Sequence, residues 1–238
     1  MTLENVIYKF DIDQIFTKED FRKAVHEENK EYKESSINWL LGKLKSEHKI
    51  IKTSRDCFCR IEGQRFEYQY PYSEELCLIA KEIQDEFPLL DFQVWELVQL
   101  NEFVNHQIAH NTLFIEVEDM LEDSVFEFLK GRYAGVLLKP DVKEYYKYRK
   151  PDNTIVIRKM VTEAPAAIKG THFSRLEKIL VDISKDKLIK SMIDERECTT
   201  IFRDSYERYA LDISRLCRYA SRRGAEMKIR NMMETIKE

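Results

Sequence analysis

Between Ser36 and Ser46 the apolar residues Ile37, Leu40, Leu41 and Leu44 fall at i, i+3, i+4 and i+7. Only a helix turns that spacing to one side, so this stretch predicts a helix buried along a single stripe. Ser35 or Ser36 is its expected N-cap. At about 100° per residue, Asn38, Trp39, Gly42, Lys43 and Ser46 point away from the stripe and Lys45 sits at its edge. The outward face therefore carries amide, hydroxyl, ammonium and one large aromatic group, chemistry that suits base edges and phosphates.

Two β-forming runs follow, Lys49 to Thr53 and Cys57 to Ile61, around a turn at Ser54-Arg55-Asp56. They predict a short hairpin carrying Lys52, Arg55 and Arg60. A polar-faced helix beside a basic ribbon follows the logic of a winged helix-turn-helix. On that reading Asn38, Trp39 and Lys43 meet base edges, Lys33, Lys52, Arg55 and Arg60 meet phosphates, and Ser35, Ser36 and Lys45 complete the surface. The plainer alternative is a helix and hairpin that contact protein, with solvated lysines.

Charge has to be weighed against this reading, because the 238 residues carry a formal net charge of −4. Its distribution is uneven. Residues 1–65 hold 13 basic and 12 acidic side chains, residues 66–170 hold 11 and 19, and residues 171–238 hold 15 and 12. A reader needs cations where phosphates lie, not a large total, so modest and salt-sensitive affinity is expected. Hydrophobic content of 43% supports a real core. No apolar run approaches the roughly 20 residues that span a bilayer, and Met-Thr-Leu-Glu-Asn lacks the features of a signal peptide. A cytoplasmic protein with no membrane contact is expected. Its five cysteines, at 57, 59, 77, 198 and 217, are odd in number and scattered, which argues for reduced structural thiols.

In chain order, Thr17 with Asp20 predicts a capping box for a supporting helix that runs to about Glu28. Phe66 to Tyr72 alternates aromatic and polar residues, as an extended strand or linker does. Beyond it helices are expected over 73–87, 119–133, 140–149 and 172–188, with strands over 91–97, 112–118, 135–138 and 154–161. Residues 199–236 read as mostly helix. Alternating strands and helices imply an α/β body with partly parallel pairing. The fold class is thus α/β, α+β overall. Residues 1–65 form the winged helix-turn-helix, 66–190 the α/β regulatory body and 191–238 a helical extension.

Catalytic patterns are incomplete. His106 and His110 lie four apart, as metal sites on helices require, but Gln107 stands where a zinc peptidase needs glutamate and no third ligand has suitable spacing. A two-metal nuclease needs an Asp, then an acidic residue and a lysine separated by one residue. Pro151-Asp152 followed by Ile157-Arg158-Lys159 imitates that order with Ile157 in the carboxylate's place. The enzymatic alternative is a metal-dependent nuclease using Asp152, Lys159 and some of Glu116, Glu118 or Glu163. Glu163, Glu177, Asp182 and Asp186 form a further acidic group, and Arg203, Arg208, Arg215, Arg218, Arg222 and Arg223 make the tail basic; caps and a solvated helix face account for both. A non-enzyme without cofactor or metal is the expectation.

The order of parts resembles the AbiEi-like antitoxin and transcriptional-regulator family of type IV abortive-infection toxin–antitoxin systems. The similarity covers Ser35 to Ile61 and most of the body, and is strongest over residues 95–103, 111–118 and 155–165 and then 176–182. The resemblance implies an N-terminal winged helix that represses its own operon at inverted repeats. It also implies a C-terminal domain that counteracts a nucleotidyltransferase toxin. Ser54-Arg55-Asp56 departs from the glycine turn common in such wings. Inverted repeats favour two copies, so a dimer or cooperative monomers are expected.

Overall fold

A computed structural model describes residues 3–12, 14–30, 32–47, 49–54, 56–61, 65–104 and 106–235, with side chains from residue 5 on except those of 51–54. A 3₁₀ segment, Leu3–Lys9, leads into β1 (Ile15–Thr17), α1 (Lys18–Glu28), α2 (Glu34–Ser46), β2 (Ile50–Ser54) and β3 (Cys57–Arg60). These strands form an antiparallel sheet in the order β1-β3-β2. Thr17 caps α1 by accepting from the Asp20 backbone N–H, while the Asp20 carboxylate accepts from that of Thr17. The apolar stripe of α2 is buried, and Ile37, Leu40, Leu41 and Leu44 join Phe16, Phe21, Val25 and Phe58 in one core.

Neither Ser35 nor Ser36 caps α2. The helix begins at Glu34 with Lys33 in the N-cap position and no side-chain cap. Glu34 in the first turn complements the positive helix terminus, and the Lys33 carbonyl accepts from Ser36 and Ile37 N–H. The hairpin turn is where the residue types placed it, between Ser54 and Cys57, with an irregular register near Lys52 and Ser54. Arg55 lies outside the described residues.

The body is built on a mixed sheet of β4 (Phe92–Glu96), β5 (Asn111–Val117), β6 (Val136–Leu138) and β7 (Asn153–Lys159), in the order β4-β5-β7-β6. β4 runs antiparallel to β5; β7 is parallel to both β5 and β6. Period-two alternation gives β5 two different faces. Leu113, Ile115 and Val117 enter one core with residues of α3 (Glu74–Glu86) and α4 (Glu122–Lys130). Phe114, with Trp95 and Val156, enters the other. That second core is closed by Tyr145 of α5 (Val142–Tyr148) and by α6 (Leu176–Lys185), α7 (Lys187–Lys190), α8 (Glu195–Arg208), α9 (Ile213–Arg222) and α10 (Glu226–Thr235). The C-terminal helices therefore share the body's core. Cys59 and Ile61 belong to it as well, and β2 packs on α9, which joins the N-terminal unit to the body.

Three expectations shift. His172 to Ser174 pair with the edge of β4 through Val94 N–H to His172 O and Ser174 N–H to Val94 O, so the helix expected from His172 starts at Leu176. Asp186 then ends it by accepting from Leu188 and Ile189 N–H, which starts α7. The tail is mostly helix, as expected, but as three helices, the first capped by Asp194 and the two breaks falling at the cap Asp212 and at Gly224 with φ +62°. Phe66 to Tyr72 is a linker with one bridge, Phe66 to Tyr209. All five cysteines are free thiols.

Candidate nucleic-acid interface

Burying one stripe of α2 fixes what the opposite side shows. Ser35, Asn38, Trp39 and Gly42 are exposed there, Trp39 by 63%. A Cβ on Gly42 would meet nothing within 4 Å, so this glycine serves no close approach between described parts of the fold. Lys43, one turn beyond Trp39, holds its ammonium 5.5 Å from the indole centroid and 3.7 Å from the Glu47 carboxylate. Lys49 approaches Glu47 more closely, at 2.7 Å, and that hydrogen bond holds the carboxyl of Glu47 below its usual range. The result is a ridge in which an aromatic plate and a cation lie side by side.

The other sequence-selected residues divide. Lys33 is exposed at the start of α2, and Ser36 is half-buried. Lys45 is exposed but lines a cavity against the body, away from Trp39. Arg60 donates from Nη1 to the Phe10 carbonyl at 2.7 Å and stacks over the Tyr8 ring at 4.8 Å, so its guanidinium is engaged with the N-terminal segment. The backbone of Lys52 pairs with Phe58 in the hairpin.

The nuclease residues do not gather. Asp152 is exposed before β7, and Lys159 at the far end of that strand is ion-paired with Asp119 at 2.6 Å. Seven residues of extended chain put them about 23 Å apart. Glu118 accepts from Asp91 N–H, and Glu163 is exposed in a turn at φ +63°. The described residues of 103–110 are in no helix, so His106 and His110 do not share a helix face, and His110 contacts the Pro151 carbonyl. Among the described residues no group of three His, Cys, Asp or Glu is placed to hold a metal.

What the sequence reading missed is the interior of the body. Glu116 on β5 faces its register partner Arg158 on β7 at 2.6 Å, and Lys178 on α6 at 2.7 Å. Lys178 also reaches Asp182 at 2.8 Å; Asp182 pairs with Arg223 at 3.1 Å and accepts from the Tyr219 hydroxyl. Arg158 closes the circuit on Asp186 at 2.9 Å. Burial pushes the Glu116 carboxyl up, but the charges of Lys178 and Arg158 and their hydrogen bonds overcome this and hold it at about 2. Three carboxylates thus balance three cations. The signal was present as Lys178 and Asp182, four apart and flanking the apolar run Ile179-Leu180-Val181 of one helix. Two tail arginines are engaged nearer the surface, half-buried Arg215 with Glu177 and exposed Arg222 with the Thr162 hydroxyl.

The architecture is mixed α/β, and no helix among the described residues is long and apolar enough to cross a membrane. The chain belongs to a family of unknown function (DUF6577), which matches residues 36–238, from inside α2 through the hairpin and the whole body. No curated protein matches it.

Proposed function

We propose that the chain is a DNA-binding transcriptional regulator that reads duplex operator DNA with α2 and its hairpin as a winged helix. The observation that carries this is Trp39, 63% exposed beside Lys43 on a helix whose other large apolar residues are buried. A helix that merely faces solvent gains nothing from an exposed indole. The order of helical turn, strand, two helices and hairpin, with β1 added as a third strand, supports the winged form. Asn38, Trp39 and Lys43 then face base edges, while Lys33 reaches a phosphate. Arg60 serves by holding the wing to the N-terminal segment.

The resemblance to AbiEi-like proteins extends the reading to a cytoplasmic antitoxin that represses its own operon and counteracts a nucleotidyltransferase toxin. The acidic residues 66–170, eight more than the basic ones, support it. An enzyme that handles nucleotides presents a basic groove, and opposite fields speed encounter. Two copies on an inverted repeat supply the affinity one wing lacks.

The test is a mobility-shift titration of the full chain on its own upstream DNA at several salt concentrations. A salt-dependent shift is expected, and Lys33→Ala should lower the log–log slope by about one. No shift while a known regulator binds under the same conditions overturns the reading in favour of a protein-contact module. Metal-dependent cutting abolished by Asp152→Ala overturns it in favour of a nuclease.

A further inference from the structure

Between the reader and the body lies a cavity of about 290 Å³. It is lined by Lys45 and Ile50 of the N-terminal unit and, across the junction, by the linker, the start of α6 and the segment leading into α9. That volume takes about ten water-sized groups, the lower end of small-molecule sites, and unit junctions are where such sites concentrate.

One wall is aromatic and rigid. Tyr68 and Tyr209 meet edge to face at 4.9 Å, with the Tyr209 hydroxyl bound to Glu102 and the Tyr68 hydroxyl accepting from Gln99. Leu176 and Leu211 add aliphatic surface. The polar lining is asymmetric in what remains to be satisfied. Glu177 accepts from Asp212 N–H at 2.9 Å and from Arg215 at 3.0 Å, and Asp212 accepts from Arg215 N–H at 3.0 Å, so these two acids and one arginine are spent on one another. Lys45 and Arg175 form no ion pair among the described residues; Arg175 gives only its Nε to the Ala166 carbonyl. Glu67, the remaining acid, is exposed. The cavity thus offers an aromatic wall and two cations contributed from opposite sides of the junction.

We propose that this cavity is a binding site for a small aromatic anion, a carboxylate or phosphate monoester on a planar ring, with the ring against Tyr68 and Tyr209 and the anion between Lys45 and Arg175. Charge-assisted hydrogen bonds from the guanidinium favour a planar oxyanion. Because Lys45 lies six residues after Trp39 on α2, about 9 Å along the axis, an occupant ties the reader helix to α6. A consequence, which rests on the DNA-binding reading, is that the ligand shifts operator affinity by its differential affinity for the two arrangements.

The experiment titrates the full-length protein with benzoate, phenyl phosphate and neutral benzamide by calorimetry and ligand-observed NMR, without DNA, so that failure of the site and failure of the DNA reading are separate results. Saturable binding of at least one anion, ten times tighter than benzamide, is expected. Benzoate and phenyl phosphate distinguish a carboxylate from a phosphate ligand. Arg175→Gln and Lys45→Gln should each weaken it about tenfold, and both side chains reach the surface, so unchanged thermal midpoints check that the variants are folded. Equal binding of benzamide, no binding of either anion, or anion binding unaffected by both substitutions overturns the proposal.

Discussion

Lys178 Nζ lies 2.7 Å from Glu116 Oε2, with neither side chain more than 1% exposed, and so joins a helix and a strand 62 positions apart inside the body. Two charges removed from water at this depth are tolerable only because each has further partners: Asp182 for the lysine, Arg158 for the glutamate. Lys178→Met strands excess negative charge in the core. A loss of about 3–5 kcal/mol is expected, lowering the thermal midpoint by roughly 10 °C. Combining it with Glu116→Gln should cost less than the sum of the two single changes, because they share one network. Calorimetric unfolding of the three variants measures this, and simple additivity would show that the pair is not coupled.

The same carboxylate sets an acid limit. Its folded value of about 2 lies below the ordinary 4.5, so it contributes stability in full above about pH 4.5 and loses it as pH falls through about 2. Glu116→Gln should flatten this part of the stability–pH curve, although it lowers stability at neutral pH. Urea titrations at pH 3, 4, 5 and 7 test it. An unchanged acid limb would assign the effect to other groups.

Gly42 makes the opposite kind of case, a backbone cost without a visible structural return. Since an added Cβ meets nothing, Gly42→Ala should stabilise α2 by about 1 kcal/mol and raise the midpoint by about 2–4 °C. Thermal unfolding reads this directly. A lower midpoint would mean that the open side of α2 is covered in solution.

These sites differ in how far the sequence disclosed them. The stripe Ile37-Leu40-Leu41-Leu44 and the Thr17–Asp20 box are local patterns with one geometric solution, and both elements formed accordingly. The start of α6 was misplaced because residues 172–174 pair with β4, some 80 positions earlier, and no window of local periodicity carries that information. Tertiary pairing likewise hid the Glu116–Arg158 contact. It follows from the parallel register of β5 and β7, which depends on the crossover through α4, β6 and α5. Arg60 read as a surface cation for a similar reason, since its acceptor, the Phe10 carbonyl, is 50 residues away.

The ridge of α2 yields the sharpest functional test. Trp39→Ala and Lys43→Ala remove an exposed ring and the ammonium beside it, both outside the core, so thermal midpoints should move by less than about 0.5 kcal/mol in equivalent stability. Their effects on DNA should nonetheless differ. An indole on base edges contributes contact and sequence choice, so Trp39→Ala should weaken the specific site by about 1–3 kcal/mol and leave non-specific binding nearly intact. An ammonium at a base edge also releases counterions from the phosphates around it, so Lys43→Ala should weaken both specific and random duplexes, the specific one more, and flatten the salt dependence. Titrating both variants against the upstream region and a scrambled duplex at two salt concentrations separates the two behaviours. Equal losses on both duplexes for Trp39→Ala would reduce α2 from a reader of sequence to a non-specific anchor, and no loss for either variant would remove this face from the interface altogether.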